Sequence, residues 1–325
     1  MKAVTYTTFG TPVDVVRVTD EAQPEPAAGQ VRVRMSLSPI HNHDLWTIRG
    51  SYGYKPELPA TAGSEAAGVV EAVGAGVDEK LIGQRIAAAG VPGAWAESFV
   101  VSAAGIVPLP DAVSDEVGSQ LLAMPLSALA LLEQLPLKAG DWLVQTAANG
   151  TVGKLMVGMA RERGIKVLNL VRRAQAKAEM EAFGVDAVFS TEEDDWKNQA
   201  LAVLGEKGAR AAIDSVGGPV VADVADLLGL DGVLSVFGTA TGVPLSLNAG
   251  NIISRHITVT GFWGARVMGE MSGEEKGRLI GELLQLAAAG KLHLPSGGDF
   301  TLDQVGAAID ASLTAGRQGK ILLKP

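Results

Sequence analysis

Cysteine is absent from all 325 residues. That excludes disulfides and every thiolate metal site, and it suits a reducing compartment. Blocks of basic charge are also missing: the 27 Lys and Arg are scattered against 36 Asp and Glu, for a formal charge of -9. Such a surface offers no electrostatic footprint for nucleic acid or an anionic membrane. No run approaches the roughly 18 uninterrupted apolar residues of a membrane span, and "MKAVTYTTFG" lacks an apolar core of signal-peptide length. The expected location is the cytoplasm. Internal repeats and low-complexity linkers are lacking too, so the units of the chain are expected to pack closely.

Hydrophobic residues make up 47% of the chain and charged residues 19%, a composition that builds cores rather than disorder. The length exceeds what one average core fills, and two domains are expected. Up to about residue 110 the pattern is short and β-like: "VDVVRV", "QVRVRMSL", "AAGVVEAVG", "QRIAAAG" and "WAESFVV", each closed by Gly, Pro or Asp. From "SDEVGSQLLAMPLSALALLEQL" onward, helical patterns alternate with the compact apolar runs "DWLVQTAA", "KVLNLVR", "AVFS", "RAAIDSVGG", "GVLSVFGTA" and "ITVTGFW". Ser114 is a plausible N-cap for the first of these helices. Short apolar strands between helices fit a parallel sheet covered on both faces, so the fold class is α/β with a doubly wound nucleotide-binding domain. The closing strand "KILLKP" is expected to return to the first domain.

Between the strand "DWLVQTAA" and the helical "TVGKLMVGMARERG" lies Ala148-Asn149-Gly150-Thr151-Val152-Gly153, a GxGxxG loop with Ala in the first place. Gly150 would let the backbone approach a pyrophosphate, Gly153 would let helix and strand pack closely, and the helix N-terminus would supply N–H donors. With strand, loop, helix and second strand in order, a dinucleotide site is expected here in preference to a merely structural turn. A site for an unphosphorylated ribose normally carries Asp or Glu at the end of the second strand. Arg172 and Arg173 stand there instead, and two guanidiniums neutralise a 2′-phosphate. NADP(H) is therefore expected. Val216, Gly217, Phe237, Gly238 and Thr239 follow later strands of the sheet and are candidates to approach the same cofactor.

With these motifs the chain resembles the medium-chain dehydrogenase/reductase superfamily, and within it the zinc-free branch of quinone oxidoreductases and 2-enoyl thioester reductases. The likeness rests on "SPIHNHDLWTIRGSYGYKPELPATAGSEAAGVV", "LKAGDWLVQTAANGTVG", "NLVRR", "DSVGG", "TGFWGA" and "GKILL" in the family's order. It implies a GroES-like β-barrel substrate domain over residues 1–117 and 290–325 and a Rossmann NADP-binding domain over 118–289, with a cleft between them. It also implies a homodimer along the Rossmann sheet edge, near "HITVTGFW". Asn149, Gly150, Thr151, Val152, Arg172, Arg173, Phe237, Gly238, Phe262 and Trp263 match stretches that contact NADPH in enoyl reductase relatives. Met124 departs from the Asn that such relatives often carry before Pro.

No metal is expected. Zinc-dependent members place Cys three residues before an Asp, where this chain has His41 before Asp44, and His in a Gly-His-Glu motif, where it has Ser64 before Glu65. A catalytic zinc needs about three protein ligands with an open fourth position, and His41 with Glu65 is too thin a set. Without a Lewis acid a conjugated C=C–C=O is the easier substrate, because hydride attack on the β-carbon spreads charge into an enolate that modest donors hold. Tyr52 matches the tyrosine that enoyl thioester reductases place near the substrate. His43 lies where zinc-dependent relatives have the Ser or Thr that relays the proton, and imidazole can serve as a donor near neutrality. Asp44 is read as ordering its loop, and His256 and His293 as structural.

The expected activity is zinc-independent, NADPH-dependent hydride transfer to a small-molecule enoyl thioester, enone or quinone. Two alternatives stay open: a zinc-free alcohol or aldehyde reductase using His43, and a non-catalytic NADPH-binding protein.

Overall fold

The computed structural model describes residues 1–314 and 316–325. The chain divides into two compact units, Met1–Leu126 with Ile280–Pro325, and Ser127–Leu279. The expected boundaries at 117/118 and 289/290 lie several residues from these. The observed ones fall inside two helices, Met124–Gln134 and Gly273–Ala288, each of which runs on from one unit into the next.

The first unit opens with β1 (Lys2–Tyr6), α1 (Pro12–Val15), β2 (Arg17–Asp20), β3 (Gln30–Pro39), α2 (Asn42–Arg49), β4 (Ala60–Thr61), β5 (Glu65–Val73), β6 (Arg85–Ala89), β7 (Ser98–Ser102), β8 (Ile106–Pro108) and α3 (Asp115–Gly118). The helix α4 (Met124–Gln134) leads out of it. One sheet has the order β2-β1-β4. In the larger one β3 pairs with both β5 and β7, and β6 and β8 continue beyond β5. Alternating side chains of these strands meet in a core built around Val4, Val33, Met35, Ile86 and Trp95. This is the expected β-rich, GroES-like domain.

Two sequence expectations fail here. "VDVVRV" does not form one strand, because Pro12 at the first helical position presets a helical φ and turns residues 12–15 into α1. The helix expected across "SDEVGSQLLAMPLSALALLEQL" is broken between α3 and α4. Ser114 does cap α3, its Oγ accepting from Val117 N–H at 3.3 Å. The break leaves the N–H groups of Leu122 and Ala123 free of helical carbonyls, and both donate instead to the buried carboxyl of Glu65, at 2.6 and 2.8 Å.

The second unit continues with β9 (Trp142–Gln145), α5 (Thr151–Glu162), β10 (Lys166–Val171), α6 (Gln175–Ala182), β11 (Ala187–Ser190), α7 (Trp196–Leu204), β12 (Ala209–Asp214), α8 (Val220–Asp226), β13 (Leu228–Val236), α9 (Ala249–Arg255), β14 (Thr258–Gly261) and α10 (Gly264–Glu270). The helix α11 (Gly273–Ala288) returns the chain to the first unit. The six strands pair in parallel in the order β11-β10-β9-β12-β13-β14. Numbered from β9 this is 3-2-1-4-5-6, the doubly wound order of a Rossmann domain. Buried Val144, Leu168, Leu170, Ala212 and Leu234 pack against residues of the covering helices such as Val221 and Val224. The "HITVTGFW" segment supplies β14, the outer strand of the sheet.

The chain ends with β15 (Ser296–Thr301), α12 (Val305–Leu313) and β16 (Lys320–Lys324). As the sequence implies, β16 returns to the first unit, pairing with β3. The strand β15 beside it has no alternating apolar pattern and was not legible. Among the described residues, no helix is long and apolar enough to cross a membrane.

Candidate active site

In the second unit the cofactor candidates gather at the carboxyl ends of the strands, where a doubly wound sheet binds its ligand. Asn149 and Gly150 lie in the loop after β9, with Gly150 as N-cap of α5. Thr151, Val152 and Gly153 form the first turn of that helix, whose N–H groups have no earlier helical carbonyl to meet. A Cβ on Gly153 would lie 2.3 Å from the Ala148 carbonyl oxygen, so only glycine lets α5 pack this tightly on the loop. The result is a helix N-terminus with free donors and partial positive charge, which fits a pyrophosphate.

Arg172 and Arg173 directly follow β10, Arg172 exposed and Arg173 half-buried. Among the described residues neither guanidinium has an acidic partner, so both remain free for a phosphate. Val216 and Gly217 follow β12; Phe237, Gly238 and Thr239 follow β13; Phe262 and Trp263 follow β14. The rings of Phe237 and Phe262 stand 5.8 Å apart, and Trp263 is half exposed.

Two residues that the sequence reading did not single out hold this arrangement. Thr146 sits just past β9 and Asp214 ends β12, so they face each other where the strand order reverses. The Thr146 hydroxyl donates to Asp214 Oδ1 at 2.9 Å and accepts the Ser215 N–H at 2.8 Å. The buried Asp214 carboxylate also accepts the N–H groups of Val216 at 3.2 Å and Gly217 at 2.8 Å. The loop after β12 is thereby tied to the glycine loop. The only available signal was an acid at the end of an apolar strand, in "AAIDSVGG".

In the first unit the sequence candidates also cluster. His41 caps α2, its backbone N–H donating to Asp44 Oδ2 at 2.9 Å, so Asp44 orders the loop as expected. His43 Nε2 lies 2.8 Å from Ser64 Oγ, and the Ser64 hydroxyl donates to Asp44 Oδ1 at 2.6 Å. The His43 ring is stacked between His41, at 4.8 Å, and Tyr52, at 5.8 Å, with Trp46 6.5 Å beyond Tyr52. The two catalytic candidates are thus neighbours. Gly63 makes the turn that delivers Ser64 and Glu65: it has φ +90°, and a Cβ there would lie 2.2 Å from the Trp95 ring.

Beneath this layer His41 Nε2 meets Glu65 Oε2 at 2.7 Å, and neither side chain touches solvent. Burial pushes the Glu65 carboxyl up to about 8, against the lowering pull of the Ala123 and Leu122 N–H groups. Burial likewise drives His41 well below its ordinary value, reinforced by Lys320 and His43. Burial thus weighs against charge on both members of the pair. Lys320 is itself brought down to about 8, first by burial and then by Arg317.

The chain matches two family descriptions, "Alcohol dehydrogenase GroES-like domain" over residues 27–111 and "Zinc-binding dehydrogenase" over residues 151–279. The mitochondrial enoyl-[acyl-carrier-protein] reductase of Arabidopsis thaliana is 31% identical over 303 residues, covering 90% of this chain and 79% of that protein. The chain belongs to the medium-chain dehydrogenase/reductase superfamily of oxidoreductases. The quinone oxidoreductase of Pseudomonas syringae shares its fold at a TM-score of 0.88 with 27% identity, covering 100% of this chain and 99% of that one. That of Escherichia coli, solved in complex with NADPH, matches at 0.88 with 25% identity over 100% of both chains. These relatives place the chain on the quinone and enoyl reductase branch of the superfamily.

The second of the two family descriptions implies zinc, and the residues do not fit it. Among the described residues, no three or more His, Cys, Asp or Glu side chains converge as a metal-holding set. His41 Nε2 is taken by Glu65 and His43 Nε2 by Ser64, while the buried His41 Nδ1 has no hydrogen-bond partner among the described residues. Glu65 in turn is engaged on both oxygens.

Proposed function

We propose that the protein is a zinc-independent, NADPH-dependent reductase of conjugated C=C–C=O substrates: enoyl thioesters, enones or quinones. The observation that carries this reading is the His41–Glu65 pair, in which His41 Nε2 and both Glu65 oxygens are committed to each other and to the Leu122 and Ala123 N–H groups. A site without a Lewis acid favours a substrate whose developing charge spreads into an enolate. Relatives named as enoyl and quinone reductases support the same substrate class.

NADPH, when bound, supplies the hydride. The N–H groups of Thr151, Val152 and Gly153 are assigned to its pyrophosphate, and the guanidiniums of Arg172 and Arg173 to the 2′-phosphate that separates it from NADH. Val216, Gly217, Phe237, Gly238, Thr239, Phe262 and Trp263 shape the rest of the cofactor path, with Asn149 in the loop that opens it. His43 and Tyr52 are assigned the proton work, either holding the enolate oxygen by hydrogen bonding or delivering a proton to the product. The protein is expected to act as a homodimer through the outer edge of β14.

The test is NADPH consumption by chelator-treated protein with a 2-enoyl thioester, a 1,4-quinone and a simple aldehyde, alongside Tyr52→Phe. Turnover of a conjugated acceptor with the aldehyde inert is the expected result. Selective loss of thioester turnover in Tyr52→Phe assigns that residue to the enolate. Aldehyde turnover would favour the alcohol or aldehyde reductase reading, and silence with all three would favour a cofactor-binding protein without catalysis.

A further inference from the structure

The hydrogen bonds around Ser64 determine which nitrogen of His43 carries the proton. A serine hydroxyl has one hydrogen to donate and lone pairs to accept with. Ser64 gives that hydrogen to Asp44 Oδ1 at 2.6 Å. Asp44 is held for this task, because its other oxygen accepts the His41 N–H at 2.9 Å and its side chain is buried. With its hydrogen committed, Ser64 Oγ can only accept from His43 Nε2, 2.8 Å away.

We propose that Asp44 and Ser64 are positioning residues that lock His43 in the Nε2–H tautomer and so make Nδ1 the atom that exchanges a proton with the reacting group. The inference rests on the assignment of proton work to His43 given above. Among the described residues no protein group is hydrogen-bonded to Nδ1, and the His43 side chain keeps 21% of its surface exposed. The ring cannot turn over without losing the Ser64 bond and disturbing its stack between His41 and Tyr52.

In the reducing direction the imidazolium of His43 breaks its Nδ1–H bond and gives that proton to the substrate anion formed when hydride arrives from the reduced nicotinamide. The ring is left neutral with Nε2–H still on Ser64, and solvent returns a proton to Nδ1. In reverse the Nδ1 lone pair takes the proton from the substrate. Asp44 Oδ1 lies 3.6 Å from Nε2, and His41, Glu65 and Tyr52 are the other titratable groups facing the ring. Asp44 thus fixes the His43 ring through the Ser64 hydroxyl, with no proton passing along that chain.

The tautomer is read directly by nitrogen-15 NMR of the full-length protein labelled at histidine, without substrate. The chain has 4 histidines, and His43→Gln identifies the signal. Neutral His43 is expected wholly as Nε2–H, to become a tautomer mixture in Ser64→Ala, and to return to Nε2–H in Ser64→Thr, which keeps the hydroxyl. Ser64→Ala is also expected to lower kcat by roughly ten- to a hundredfold and shift the pH profile of kcat, with KM little changed and Ser64→Thr restoring both. His43 resting as Nδ1–H, or a tautomer indifferent to Ser64→Ala, would overturn the lock. A pH profile unmoved by Ser64→Ala would overturn the role of Nδ1. Because the NMR arm needs no turnover, an inactive protein would sink the reductase reading while leaving the lock to be decided on its own.

Discussion

His41 and Glu65 meet at 2.7 Å in the interior of the first unit, where the family's zinc-dependent members are expected to build a metal site. Glu65 anchors three things at once: the ring of His41 and the backbone of both Leu122 and Ala123. Removing it as Glu65→Ala leaves those groups buried and unpaired, at a cost of about 3–5 kcal/mol in unfolding free energy. Glu65→Gln, which keeps an acceptor for the backbone, is expected to cost less. Denaturant unfolding of the two variants checks the order.

The same residue makes a pH prediction. Its carboxyl is raised from the usual 4.5 to about 8 in the folded chain, so the native state binds this proton more tightly than the unfolded one. Its contribution to stability is fully present below about 4.5 and is lost as pH rises through about 8. The stability difference between wild type and Glu65→Gln should therefore move against the wild type with rising pH, by up to about 1.4 kcal/mol per unit. A flat difference across that window would contradict it.

Gly153 permits the contact between α5 and the loop after β9. Gly153→Val places atoms where the Ala148 backbone already stands, and about 1–3 kcal/mol of stability should be lost. Because the same move displaces the first-turn N–H groups, NADPH affinity should fall in variant protein that remains folded. Calorimetric titration with NADPH measures it.

Arg172 and Arg173 are expected to discriminate between the two nicotinamide cofactors. Replacing both with Ala should weaken NADPH binding at least about tenfold and leave NADH nearly unchanged, since only NADPH carries the 2′-phosphate they would pair with. Equal losses for both cofactors would point to a general effect on the loop instead.

What was legible in the sequence follows physical period and punctuation. The parallel strands of the second unit read as apolar runs because helices cover both their faces, and the glycine loop read as a phosphate cradle because close packing at Gly153 permits no side chain. α1 was hidden because four residues carry too little periodicity to stand against a β-like run, and Pro12 alone marks it. The break before α4 was hidden because the group that satisfies its freed N–H donors, the carboxyl of Glu65, lies far away in the chain. In the sequence Glu65 reads only as a candidate metal ligand. Its partner in place of a metal is a histidine, and that pairing is a fact of three-dimensional proximity. His43 and Tyr52 were legible as candidates, whereas the chain of bonds from Asp44 through Ser64 to His43 required the fold to bring β5 beside α2.

The most direct test of the central claim follows the transferred hydrogen. Chelator-treated protein would be given NADPH deuterated at the transferred position together with an enone, and the product analysed by NMR. Deuterium on the β-carbon of a saturated ketone is the predicted result. Deuterium on the carbonyl carbon of an allylic alcohol, or no transfer at all, would contradict the account.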